Sequence, residues 1–75
     1  MTKSAERIDL SEWRRIDGIR SVSSMKKSIA DLEPGVRRAV ILHGLRSSRF
    51  QFTWSWLAEK FGVPRAEWPS QEAER

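Results

Sequence analysis

The breaks in this chain constrain its fold more than any other feature. Gly18, Pro34, Gly62 and Pro69 interrupt the apolar pattern at intervals that leave room for short helices. Before the first break, Leu10, Trp13 and Ile16 recur every three residues and predict a helix over 10–17. Asp9 and Glu12 stand at capping-box spacing at its start, with Asp in place of the usual Ser or Thr. A tight Asp17-Gly18 hairpin is the alternative, but its flanks do not alternate. Ser21, Ser23 and Ser24 offer caps for a second helix over 23–32, with Val22, Met25, Ile29 and Leu32 as its apolar stripe. Glu33 precedes Pro34, so that helix ends at or before Glu33. Pro34 suits the first turn of a third helix over 35–46, where a missing N–H costs nothing. The run from Ala39 to Leu45 would read equally well as a buried strand. The proline start and the segment length favour helix, with Gly44 its weak point.

The fourth segment carries two signals in conflict. Phe50, Phe52, Trp54 and Trp56 alternate with polar residues, the period of a strand. Thr53 as N-cap, Phe52 and Leu57 as a hydrophobic staple, and Trp54, Leu57, Ala58 and Phe61 along one face argue for helix. Gly62 then supplies the left-handed stop. The balance predicts Arg49 to Phe52 extended and a helix over 53–61. One further turn fits before Pro69, with an acidic tail beyond it. The expectation is an all-α domain over 1–75, a bundle of three or four short helices, flexible over 1–8 and 69–75. Its core should include Trp13, Ile16, Met25, Ile29, Leu32, Val36, Val40, Leu57 and Phe61.

With 75 residues the chain hides only about 60% of its unfolded surface, so its core is thin. Oligomerisation, such as a homodimer, or a binding partner would add to it. The absence of cysteine excludes disulfides and thiolate metal sites and fits a reducing cytoplasm. The first ten residues lack the apolar run of a signal peptide, and Ala39–Leu42 is far too short to cross a bilayer, so no membrane partner is expected.

Catalytic chemistry has little to work with. His43 is the only histidine and lies in the most apolar run, where a packing role is several times commoner than a catalytic one. No carboxylate stands between Glu33 and Glu59, and there is no phosphate loop or nucleophile motif. The expectation is a non-enzyme without metal or cofactor.

Charge and aromatic content point instead to binding. Residues 1–33 carry a net +1, residues 34–65 a net +5 and residues 66–75 a net −2. The basic stretch suits DNA or an acidic protein, although solvated basic faces without a partner are common. Six aromatic residues fall within the nineteen positions from Phe50 to Trp68, more than one helix or strand can bury on one side. Trp beside Arg is the composition of interface hot spots, which marks Trp54, Trp56, Trp68, Arg37 and Arg38 as candidate protein-binding residues. The competing reading is that these rings are simply the core.

The stretch WLAEKFGVPR, Trp56 to Arg65, resembles the second helix and turn of helix-turn-helix domains in small bacterial or phage regulators. Ala58 matches the small residue at the helix crossing, Gly62 the turn and Val63 the buried aliphatic. The resemblance implies a reading helix starting near Pro64 with Arg65 at its N-terminal end. Pro69 would end that helix after one turn, and Glu67 would oppose phosphates. DNA binding would therefore rest on Arg46, Arg49, Lys60 and Arg65 contacting the backbone. The expected function is transcriptional regulation through DNA. The alternative is a small adaptor or phage-type inhibitor that blocks a host protein through an Arg/Trp-rich surface.

Overall fold

A computed structural model describes residues 10–69. Four helices follow one another: α1 Leu10–Asp17, α2 Val22–Ala30, α3 Pro34–Ser47 and α4 Gln51–Lys60. A single 3-10 turn over Arg65–Glu67 closes the described chain, which contains no strand. The all-α expectation holds. Asp9 and the expected flexible ends, Pro69 apart, lie outside the described residues.

Local chemistry sets most of the boundaries. Ser21 caps α2, its Oγ accepting from the Ser24 N–H at 3.3 Å. The helix begins one residue earlier than expected and ends two earlier. Pro34 holds Glu33 extended with ψ 151°, which sets the outer limit of α2. The freed carbonyls find another donor: the Arg37 guanidinium reaches the Ala30 oxygen at 3.2 Å and the Leu32 oxygen at 3.0 Å. Pro34 then opens α3, which packs against all three other helices.

α4 departs from expectation at its start. It begins at Gln51, so Phe52 is helical, Thr53 is not the cap, and the proposed staple has no place. Phe50 holds the N-cap position without a side chain able to cap. The Ser48 hydroxyl accepts from the Phe50 N–H at 2.9 Å, and the Gln51 amide donates to the Ser48 carbonyl. Those bonds stabilise the corner that Thr53 was expected to form. At its other end α4 behaves as expected. Gly62 has φ +74°, its N–H donates to the Glu59 oxygen at 3.2 Å, and the Val63 N–H donates to the Ala58 oxygen at 2.9 Å. This pair of bonds is the Schellman arrangement.

The core contains Trp13, Ile16, Met25, Ile29, Val40, Ile41, Leu45, Trp54, Leu57 and Ala58. Leu32, Val36 and Phe61 were expected inside but are half-buried at its edge. At Gly44 the Trp54 ring of α4 lies against the backbone of α3. A Cβ built there would lie 2.3 Å from Cδ2 of Trp54, so only glycine lets the indole lie against the helix backbone. The weak point in the helical reading of α3 is therefore the seat of the largest core side chain.

Candidate functional site

Helical geometry places residues two apart about 200° from each other around the axis. The alternation that reads as a strand in sequence thus splits the rings of α4 between two faces. Trp54 points inward and is 0% exposed, while Phe52 and Trp56, four residues apart, share the outward face at 87% and 38% exposure. Glu59 and Lys60 continue that face by one more turn, and both are exposed. The Lys60 ammonium lies 5.2 Å from the centroid of the Trp56 ring. Phe50, at the N-cap, is 55% exposed.

The inward side is held by one carboxylate. Oδ1 of Asp17, at the end of α1, accepts from Nε1 of Trp54 and from Oγ of Ser48, both at 2.8 Å. Trp13 meets Trp54 at a centroid distance of 6.4 Å and packs edge-on against His43 at 4.5 Å. The indole N–H of Trp54 is thereby bonded, whereas that of Trp13 is buried without a hydrogen-bond partner among the described residues. Beside the corner, a groove of about 330 Å³ is lined by residues that include Ile19, Val22, Met25, Phe50 and Thr53.

The candidate residues read from sequence separate into distinct environments. Trp54, taken as a protein-binding residue, is enclosed, so its ring cannot reach a partner in this fold. Arg37 is half-buried, bonded to the end of α2 and 5.6 Å from the Phe61 ring centroid, which makes it a joint between helices and not a free contact. Arg38 is exposed but forms an ion pair with Glu67, with Nε 3.0 Å from the carboxylate oxygen. Trp68 is half-buried; its Nε1 donates to the Val63 oxygen at 3.1 Å, and Arg65 lies over its ring at 4.6 Å. Trp56 alone of the candidate tryptophans offers a substantially open ring.

Among the basic candidates, Arg46 and Arg49 are exposed and form no ion pair among the described residues. They lie at the α3–α4 corner, whereas Lys60 is the last residue of α4, about 15 Å along its axis, and Arg65 follows in the 3-10 turn. No helix of reading length follows Gly62 among the described residues; Pro64–Trp68 forms one 3-10 turn. Ala58 is buried, and Val63, matched to a buried aliphatic in the resemblance, is half-buried.

Sequence reasoning did not single out Phe50 and Phe52 as surface residues. The signal was the i, i+4 spacing of Phe52, Trp56 and Lys60, which is legible only once the helix is started at Gln51. His43 is half-buried, and burial followed by the positive charge of Arg46 lowers its pKa from the usual 6.5. Among the described residues no three His, Cys, Asp or Glu side chains gather as a metal site, and no helix is long and apolar enough to cross a membrane. Comparison with protein-family models, curated proteins and solved structures found no match to the chain.

Proposed function

We propose that this is a non-enzymatic regulatory protein of the cytoplasm that works by binding another protein through the outward face of α4. The observation that carries this reading is Phe52, which projects from a well-formed helix at 87% exposure. Burying a phenylalanine contributes about 1.5–3 kcal/mol, and this chain leaves that contribution unused beside two other exposed rings. An apolar strip bordered by Arg49 and Lys60 suits a protein surface with an apolar centre and carboxylates around it. The test is capture from extracts of the native host. Phe52→Asp should release a protein retained by wild type, whereas nuclease treatment or Arg46→Ala with Arg49→Ala should leave it in place. Equal capture by wild type and Phe52→Asp would overturn the reading.

DNA is the second reading. It is favoured by Arg46 and Arg49, exposed at one corner and in no ion pair among the described residues, and by the positive φ of Gly62 at the end of α4. Binding would then depend on phosphate contacts, so affinity should fall steeply with salt. Replacing Arg46, Arg49 and Arg65 by Ala should flatten that dependence in an electrophoretic shift experiment; an unchanged slope removes this reading.

A further inference from the structure

We propose that Glu67 is an internal competitor for Arg38: its carboxylate holds the place of a DNA phosphate and keeps one further backbone contact of the basic surface closed. This rests on the DNA reading above. Residues 34–65 carry six cations and a single carboxylate, Glu59. Of those six cations Arg38 alone forms an ion pair among the described residues, and its partner comes from outside the stretch, 29 positions along the chain. Oε1 of Glu67 accepts from Nε of Arg38 at 3.0 Å and also from Nη2. With that edge an arginine also grips a phosphate, so the carboxylate oxygen stands where a phosphate oxygen would sit.

A short, fixed turn delivers the carboxylate. The Glu67 N–H donates to the Pro64 oxygen at 2.9 Å, and Nε1 of Trp68 donates to the Val63 oxygen at 3.1 Å. The Trp68 ring packs against the edge of the core with Arg65 over it. Arg38 for its part belongs to a row on α3. Arg38, Leu42 and Arg46 follow one another at i, i+4 and i+8 along one side of the helix. The two arginines are both exposed and stand about 12 Å apart along the axis. Duplex DNA carries one charge for about every 1.7 Å of its axis, so each arginine can meet its own phosphate. With Glu67 in place, Arg38 adds no net charge to that row. An exposed ion pair contributes little to folding, so the carboxylate can be removed without loss of structure.

Electrophoretic shift of the purified full chain with a mixed-sequence duplex, repeated over a range of salt, tests this. Glu67→Ala should bind about fivefold more tightly than wild type. Its plot of log affinity against log salt should steepen by about 0.9, the slope of one added phosphate contact. Arg38→Ala should leave wild-type affinity within about twofold, yet abolish the gain in the Glu67→Ala background. A general effect of losing one negative charge would instead give Arg38→Ala the same cost in both backgrounds. Circular dichroism of each variant should match wild type.

Unchanged affinity in Glu67→Ala, or a gain that survives Arg38→Ala, would overturn the proposal while leaving the DNA reading intact. A gain for immobilised poly-glutamate without one for the duplex would overturn DNA as the ligand and point to an acidic polypeptide. No binding of duplex at low salt by either wild type or Glu67→Ala would remove the proposal and the DNA reading together.

Discussion

Trp54 and Trp56 are the same residue on the same helix, two positions apart, and the fold treats them in opposite ways. Trp54 has a seat prepared by three distant parts of the chain: the bare backbone of Gly44, the carboxylate of Asp17 and the ring of Trp13. Trp56 is 38% exposed and has Lys60, one helical turn away, beside its ring. A tryptophan contributes to stability when its ring is enclosed and its N–H is bonded; otherwise its surface is available to a partner. The comparison teaches that the aromatic richness of this segment is two features interleaved, a core anchor and an exposed strip.

The strongest way to break that division is to exchange the roles by truncation. Trp54→Ala should cost about 3–5 kcal/mol, enough to unfold much of so small a domain, while Trp56→Ala should change stability by about 1 kcal/mol or less. Chemical denaturation of the two variants side by side checks this; equal losses would abolish the distinction. Asp17→Ala comes next. It leaves the Trp54 and Ser48 donors without their acceptor and should cost about 2–3 kcal/mol in the same assay. Asp17→Asn, which keeps an oxygen acceptor, should lose less.

Gly44→Ala sharpens the inward half of the comparison. An alanine should gain about 1 kcal/mol of helix propensity, yet its Cβ would press into the Trp54 ring. The net effect expected is a loss of about 1–2 kcal/mol, read as a lower denaturation midpoint. Combining Gly44→Ala with Trp54→Leu should be milder than the sum of the two, because the clash disappears with the indole.

The smallest effect concerns pH. Burial and Arg46 hold the His43 pKa below 6.5, so the unfolded chain takes up that proton more readily than the native one. The stability associated with neutral His43 is complete above pH 6.5 and declines as pH falls below it. The denaturation midpoint of wild type should therefore fall between pH 7 and pH 5 somewhat more than that of His43→Gln. Parallel curves for the two would show that His43 does not contribute.

Much of the fold was legible from local signals. Pro34 sets the outer limit of α2 and starts α3, Gly62 supplies the positive φ that stops α4, and Ser21 caps α2, each through chemistry within a few residues. Six of the nine core residues expected from helical spacing are buried, from Trp13 to Leu57. The start of α4 was misread because its support comes from Ser48 and Gln51, acting through hydrogen bonds that no spacing rule displays. That error carried over to the surface, since Phe52 joins Trp56 only when both are helical.

By itself, the sequence determined that this chain breaks into short amphipathic helices, that it lacks the groups for disulfides or thiolate metal sites, and that its cations and rings crowd into the second half. Those properties depend on neighbours in sequence and on residue identity. Which tryptophan enters the core was decided only in three dimensions, because Asp17 and Gly44 stand 37 and 10 positions from Trp54 and meet it only after the helices pack. Burial is a contest for a limited interior, and its outcome depends on which site can both fit the ring and bond its N–H.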